Sequence, residues 1–210
     1  MSTSGTPPTP AYAALLQGRA FEAVVIGASA GGVSALLDIL PGLPADAPLP
    51  IVVVVHMMQG RHSQLAEVFA QRMAMKVLEA EDKQPAAAGT VYFAPSGYHL
   101  SVESDRCFSL SCEPPHNFSR PAIDFIMASA ADVYGAALAG ILLTGANHDG
   151  AAGLAAIGAA GGLTVVQDPD EAQVDVMPRA AIRLRAPDLI LPLREIRTLL
   201  ALLETGLERS

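Results

Sequence analysis

The segment that most restricts how this chain folds is a strand followed by a turn of small residues and a helix. Residues 22–26 form an apolar run, which stops at the sequence Gly-Ala-Ser-Ala-Gly-Gly of residues 27–32. A helical pattern over residues 33–40 follows at once. A serine in such a turn is held where a substrate reaches it, and free N–H groups at the helix start stabilise a developing anion. The turn therefore predicts a nucleophile at Ser29.

Strands and helices alternate along most of the chain, which is typical of a parallel sheet. Residues 51–55 are an unbroken β-branched run, as expected for a central strand buried on both faces. Residues 90–111 differ, because they hold three short strands without helices, and the turn at 104–106 joins the last two into a hairpin. The pattern predicts a doubly wound α/β fold, with a mostly parallel sheet, helices on both faces and a small antiparallel hairpin insert.

Length and composition favour one globular domain. The chain has 210 residues, and its hydrophobic fraction of 51% excludes a disordered protein. Residues 1–20 contain several prolines and are expected to form a flexible tail, which leaves a single domain over residues 21–210. The first ten residues lack the features of a secretion signal, and no apolar stretch reaches the roughly 18–20 residues of a membrane span. We therefore expect a cytoplasmic protein with no direct membrane insertion.

Charge and cysteine content exclude two further classes of function. The net charge is −8 and the basic residues are scattered, whereas binding to nucleic acid needs a basic stripe. Cys107 and Cys112 are the only cysteines, and their spacing fits no common metal motif. The sequence thus predicts reduced thiols, no metal site and no nucleic-acid partner.

Three polar residues follow predicted strands and should meet at one edge of the sheet. Ser29 follows the strand at 22–26, His56 follows the strand at 51–55, and Asp149 follows the strand at 137–143 through a short turn. Together they supply a nucleophile, a general base and an acid that orients the imidazole. Each also has a simpler interpretation, as a helix N-cap for Ser29 and Asp149 or a core histidine for His56. Their coincidence favours catalysis.

Two familiar patterns fit this arrangement poorly. Gly27-x-Ser29-x-Gly31 matches a nucleophile elbow, but α/β-hydrolases place the acid before the histidine in the chain. A dinucleotide fingerprint requires a glycine where Ser29 stands, and an acidic residue where the next strand ends in His56. We therefore expect a different family with a similar geometry, and no nucleotide cofactor.

Several sequence blocks resemble the catalytic domain of the CheB-type protein-glutamate methylesterases, which act on chemotaxis receptors. The main blocks are residues 26–32, 55–57, 143–150, 167–169 and 177–182, and the supporting blocks are 94–99 and 119–124. The likeness extends from about residue 22 to about residue 205. It implies an enzyme that hydrolyses glutamyl methyl esters on the cytoplasmic helices of chemoreceptors and deamidates glutamine there.

The resemblance also implies residue roles. Ser29 would be the nucleophile, His56 the base and Asp149 the orienting acid, with no metal or organic cofactor. Backbone N–H groups of the turn, including that of Ala30, would stabilise the oxyanion. The other residues assigned to the oxyanion hole and pocket are Gly31, Met57, Ala146 and Asn147. The residues assigned to substrate binding are Arg120, Met177 and Arg179.

Departures from the family pattern lead to further expectations. Ala30 stands where family members often carry threonine, and Ala146-Asn147 stands where Met-Gly is common, so we expect an altered rate or specificity. Only about 20 residues precede the first strand, where many members carry a receiver domain. We therefore expect no control in cis by phosphorylation, and either constitutive activity or regulation by a separate signalling protein. An inactive receptor-binding adaptor and a small-molecule serine esterase stay open as alternatives.

Overall fold

A parallel sheet of seven strands forms the centre of the molecule, which a computed structural model describes over residues 12–56 and 64–205. The strand order is β3-β4-β2-β1-β7-β8-β9, and all six pairings are parallel. These strands are β1 Ala23–Ala28, β2 Ile51–Val55, β3 Lys76–Glu79, β4 Thr90–Phe93, β7 Leu138–Leu142, β8 Leu163–Gln167 and β9 Leu189–Leu191. A separate antiparallel hairpin consists of β5 His99–Val102 and β6 Phe108–Ser111.

Helices cover both faces of the sheet. They are α1 Ala13–Leu16, α2 Gly32–Ile39, α3 Leu65–Ala70, α4 Ile123–Tyr134, α5 Ala151–Ala159, α6 Val176–Leu184 and α7 Leu193–Thr205. Helices α2 and α7 pack into one apolar core, whereas α4, α5 and α6 pack into a second core on the opposite face. The structure thus confirms the predicted doubly wound α/β fold with its hairpin insert. None of the helices in the described ranges has both the length and the apolar character that crossing a membrane requires.

Two features of the sheet determine where a site forms. The connection from β1 runs through α2 to β2 on one face, and the connection from β7 runs through α5 to β8 on the other. The strand order therefore reverses between β1 and β7, and ligands of doubly wound sheets bind at the carboxyl ends beside such a point. Gly27 of β1 lets helix α4 approach closely, because an added Cβ would collide with Ile123. The start of α4 consequently lies at the same place.

Two parts of the fold differ in extent from the sequence pattern. Residues 63–75 have an amphipathic pattern that predicts a helix, and its described part forms α3 over Leu65–Ala70, where only Phe69 is fully buried. Within the predicted tail, residues 11–16 have the pattern of a short helix, and α1 forms over Ala13–Leu16 with Tyr12 and Leu16 buried in the first core. The Tyr12 hydroxyl also donates to the Glu195 carbonyl at 3.0 Å. Packing against α7 therefore orders this short stretch, while residues 1–11 lie outside the described range.

Candidate active site

Two of the predicted residues lie where strands β1 and β2 end, and hydrogen bonds of the sheet hold both backbones. Ser29 follows β1, and its N–H donates to the Thr144 carbonyl at 3.0 Å. His56 follows β2, and its N–H donates to the Ala28 carbonyl at 3.1 Å. Because Ala28 pairs with Val55 in the sheet register, Ser29 and His56 stand one position further along neighbouring strands. The structure places them side by side at one sheet edge.

His56 and Asp149 form a buried, hydrogen-bonded pair. The Nε2 atom of His56 lies 2.7 Å from Oδ2 of Asp149, and their side chains are 9% and 0% exposed. Because Asp149 is ionised near neutral pH, Nε2 carries the ring proton and donates a hydrogen bond to this carboxylate. That tautomer leaves the lone pair of Nδ1 free, which is the state a general base requires.

Backbone N–H groups of helix α4 hold the Asp149 carboxylate. The N–H of Ile123 donates to Oδ2 at 2.7 Å, and the N–H of Asp124 donates to Oδ1 at 3.2 Å. Burial favours a higher pKa for Asp149, but the hydrogen bonds from His56 and Ile123 outweigh it and hold the pKa below its ordinary value. Asp149 therefore orients His56 and caps α4, whose own N-cap residue, Ala122, has no side-chain hydrogen bond.

Asp124 caps helix α5 in a similar way, a role that was not predicted from the sequence. Its Oδ1 accepts the N–H groups of Gly150 and Gly153 at 2.9 and 2.7 Å. Burial raises the pKa of Asp124, and the nearby charge of Asp149 raises it further. The two carboxylates thus cap each other's helices. Asp124 lies in a sequence block that matches the family, which is the signal that could have revealed it.

One group of side chains has the composition of a metal site but is explained by hydrogen bonding. Ligand atoms of His116, Asp124 and Asp149 lie within 4.8 Å of one another. Both oxygens of Asp149 accept protein N–H groups, as does Oδ1 of Asp124. Oδ2 of Asp124 lies 3.3 Å from Nε2 of His116 and accepts from Asn117 at 3.4 Å. The cluster therefore connects two helix starts and a loop.

Free N–H groups stand next to Ser29, at the start of helix α2. In residues 12–56 and 64–205, no acceptor binds the N–H of Ala30 or of Gly31. The buried Thr144 hydroxyl donates to the Ala30 carbonyl at 2.9 Å. This bond fixes the peptide group that joins Ala30 to Gly31. Gly31 has φ of +79°, a conformation that favours glycine. Two donors at a helix start suit a developing oxyanion.

Met177 is buried beneath the turn that precedes Asp149, so its predicted role as a substrate contact is wrong. Its side chain is 0% exposed, so a substrate cannot reach it. It packs against Gly145, where an added Cβ would lie 2.6 Å from Cε of Met177 and 2.7 Å from Sδ. The N–H of Met177 also donates to the Gly145 carbonyl at 3.0 Å. Met177 therefore holds the turn that leads from β7 to Asp149.

We expect Gly145 and Met177 to depend on each other. Gly145→Ala should lower the free energy of unfolding by about 1–3 kcal/mol, because the new methyl group overpacks a closed site. Met177→Ala should cost about 2–5 kcal/mol through the cavity that it leaves. The double variant should be more stable than the sum of these losses predicts, because the missing thioether makes room for the methyl group. Urea unfolding of the four proteins measures this coupling, and strict additivity would contradict the packing described here.

The other residues predicted for the pocket and for substrate binding differ in exposure and in their hydrogen-bond partners. Ala146 is exposed, and Asn147 beside it accepts the N–H of Asp149 on Oδ1 at 3.2 Å. Arg120 donates from Nη1 to the carbonyls of Cys112 and Glu113, at 3.0 and 2.9 Å. Arg179 forms ion pairs with Asp170 and Asp175. Both arginines thus have partners within the chain, and Met57 lies outside the described residues.

Comparison with known proteins agrees with this geometry. The family model described as CheB methylesterase matches residues 24–200. The chain belongs to the CheB methylesterase family. The crystal structure of the Thermotoga maritima CheB methylesterase catalytic domain superposes with a TM-score of 0.82 at 34% identity, and the match covers 87% of this chain and 98% of that one. The predicted family and fold are therefore confirmed.

Similar sequences come from several bacteria. A relative from Leptospira interrogans is 45% identical over 179 residues, which cover 85% of this chain and 93% of the relative. The protein-glutamate methylesterase/protein-glutamine glutaminase 2 of Anaeromyxobacter dehalogenans is 46% identical over 175 residues, which cover 83% of this chain and 51% of that protein. The chain thus matches nearly the whole of the first relative and about half of the second.

Proposed function

We propose that this protein is a protein-glutamate methylesterase and protein-glutamine deamidase that acts on cytoplasmic helices of chemoreceptors, with Ser29 as nucleophile. The observation that carries the proposal is the buried His56–Asp149 pair, 2.7 Å between Nε2 and Oδ2, at the sheet edge where Ser29 emerges. Membership of the CheB family supports the same chemistry. The proposed place of action is the cytoplasm, where those helices lie, and a separate signalling protein is the proposed regulator.

The first half of the reaction transfers the glutamyl group to Ser29. Nδ1 of His56 takes the hydroxyl proton as Oγ attacks the ester carbonyl, and Asp149 stabilises the imidazolium that forms. The N–H groups of Ala30 and Gly31 bind the oxyanion of the tetrahedral intermediate. The bond to the methoxy group then breaks, and methanol leaves with the proton from His56. For a glutamine side chain the leaving group is ammonia.

The second half releases the product. A water molecule gives a proton to Nδ1 of His56 and attacks the acyl carbonyl, and the proton then returns to Ser29 Oγ as the acyl bond breaks. The product is a glutamate carboxylate. In the described residues no hydrogen bond joins Ser29 Oγ to His56. Catalytic hydrogen bonds of this kind commonly tighten when substrate fills the site.

Methanol release from methylated cytoplasmic fragments of a chemoreceptor tests the proposed function. A protein methylesterase should release methanol from these fragments much faster than it cleaves an activated small ester such as p-nitrophenyl acetate. Rapid cleavage of the small ester with no methanol from the receptor would identify a small-molecule esterase instead. Binding of the fragment without any turnover would identify an adaptor.

Ala146 offers a test of how the pocket sets substrate affinity. We expect Ala146→Met to lower KM for the methylated fragment by about threefold to tenfold, because each methylene buried against substrate contributes about 0.8 kcal/mol. Ala201→Met places the same side chain on an exposed position of α7 and should change nothing. Steady-state kinetics on both variants measures the effect. A variant at 146 with unchanged kcat and KM would remove Ala146 from the pocket.

A further inference from the structure

A tight turn beside the site presents an aromatic ring to solvent. The N–H of His116 donates to the Ser119 carbonyl at 3.1 Å, and the N–H of Ser119 donates back to the His116 carbonyl at 2.8 Å. Between them, Asn117 and Phe118 have φ values of +48° and +64°. Two successive residues with positive φ form the turn type that favours Asn followed by Gly. Phe118 occupies the glycine position, and it is 100% exposed.

The ring of Phe118 contributes nothing to the fold that the described residues show. A bulky residue at positive φ is strained, and a fully exposed ring gains no burial. Glycine would satisfy this turn better on both counts. An aromatic ring held in a strained conformation points to a role outside the folding of the chain.

The turn is attached to the residues that position His56. Asn147 donates from Nδ2 to the carbonyl of Asn117 at 3.4 Å, while its Oδ1 accepts the N–H of Asp149 at 3.2 Å. Phe118 follows Asn117 directly in the chain. Only one side chain, that of Asn147, therefore stands between the Asn117–Phe118 peptide and the backbone of Asp149.

Ring stacking and hydrogen bonds tie the loop over residues 112–122, which carries this turn, to the rest of the fold. His99 is 1% exposed and stacks on Phe125, with ring centroids 4.0 Å apart. Its Nδ1 accepts the N–H of Ala122 at 3.2 Å, so its Nε2 donates to the Pro114 carbonyl at 3.1 Å. The two bonds from Arg120 tie the loop to residues 112 and 113. Phe118 thus projects from a fixed support.

Other exposed apolar side chains occur at the same edge of the sheet. They belong to the first turn of α2, the segment after β4 and the first turn of α6, and they are Val33, Tyr98 and Val176. The net charge of −8 gives no general electrostatic attraction to an acidic helix, and these side chains offer apolar contact at this edge instead.

We propose that Phe118 is a docking residue that packs on apolar side chains flanking the esterified glutamate of the substrate helix. The inference rests on the proposed function and names the chemistry of the partner, an amphipathic helix. On such a helix, residues three and four positions from the glutamate share its face, about 5–6 Å away. A ring fixed beside the site reaches these neighbours while the ester lies at Ser29.

Kinetics on the methylated receptor fragment tests the docking role. Phe118→Asn removes the ring and keeps a residue that tolerates positive φ, so the turn is preserved. We expect KM to rise about tenfold with kcat retained, the effect of losing one aromatic anchor of an interface. Phe118→Tyr should restore a KM near that of the wild type. Leu184→Ala, at the far end of α6 and 58% exposed, is the matched control and should leave KM unchanged.

Two kinetic outcomes would overturn the docking role. An unchanged KM in Phe118→Asn would show that the ring makes no contact with the receptor. A fall in kcat, with an equal fall in cleavage of p-nitrophenyl acetate, would show that Phe118 acts through the structure of the site.

Fluorescence separates this inference from the proposed function. The chain contains no tryptophan, so Phe118→Trp creates a single reporter. In a Phe118→Trp, Ser29→Ala protein, a blue shift on addition of a tryptophan-free receptor fragment supports docking even if the wild type releases no methanol. The absence of a shift under conditions where the fragment binds would overturn docking, and methanol release by the wild type would still support the proposed function.

Discussion

Ser29→Ala should reduce kcat for methanol release by about 10⁴-fold or more, the effect of losing the nucleophile of a serine hydrolase. The alanine leaves no oxygen to attack the ester, while His56 and Asp149 keep their 2.7 Å contact. The free energy of unfolding should change by less than about 0.5 kcal/mol, since the lost hydroxyl has no hydrogen-bond partner in the described residues. Methanol release and urea unfolding on the same preparation measure both quantities.

A second serine provides the control for this variant. Ser34 lies five residues further along, exposed in the first turn of helix α2 rather than in the turn that follows β1. Ser34→Ala should retain full activity. Phenylmethylsulfonyl fluoride should transfer its phenylmethylsulfonyl group to Ser34→Ala, with loss of HF, but not to Ser29→Ala, and mass spectrometry measures the difference. Residual activity of Ser29→Ala above a tenth of wild type would assign the nucleophile elsewhere.

Asp149→Ala should remove both activity and stability. We expect kcat to fall about 10⁴-fold, because His56 loses the group that selects its tautomer. The free energy of unfolding should fall by about 3–5 kcal/mol, since the substitution leaves the start of α4 uncapped and His56 without its partner. Asp149→Asn retains an oxygen for the N–H of Ile123, so it should lose as much activity but less stability. Equal stability losses in the two variants would contradict the capping role.

The pH dependence of stability distinguishes charge from shape at this position. The folded-state pKa of Asp149 lies below its ordinary value, so its ionised form stabilises the fold above about pH 4. This contribution is lost as the pH falls through the lowered pKa. The stability difference between wild type and Asp149→Asn should therefore shrink as the pH falls from about 5 to 3. Asp132→Asn, exposed on α4, is the control, and its difference from wild type should not vary in this way.

The sequence predicted the residues that follow the strands better than it predicted the buried contacts that support them. Ser29, His56 and Asp149 follow strands with strong β patterns, and parallel strands bring their carboxyl ends together in any order of the sheet. Met177 could not be assigned in this way, because a methionine in a family motif is equally compatible with a pocket or a core. Only the tertiary contact with Gly145 decides for the core.

The reciprocal capping by Asp124 and Asp149 lay beyond sequence analysis for a similar reason. An acidic residue in the first turn of a helix is common, and nothing local indicates that the starts of α4 and α5 meet. The close approach at Gly27 and the contacts between these helices bring them together. The placement of Tyr12 has the same origin, since its hydroxyl bonds to the Glu195 carbonyl of α7, far along the chain.

The capping of α4 by Asp149 makes the three proposed catalytic residues unequal in evolution. Substitutions at Ser29 would leave the structure intact, so a gene copy released from selection for catalysis can lose this residue without consequence for folding. A change at Asp149 instead exposes the whole protein to unfolding and degradation. Inactive descendants of this fold should therefore retain the aspartate as a remnant of the lost enzyme, and its presence alone is poor proof that a descendant is active.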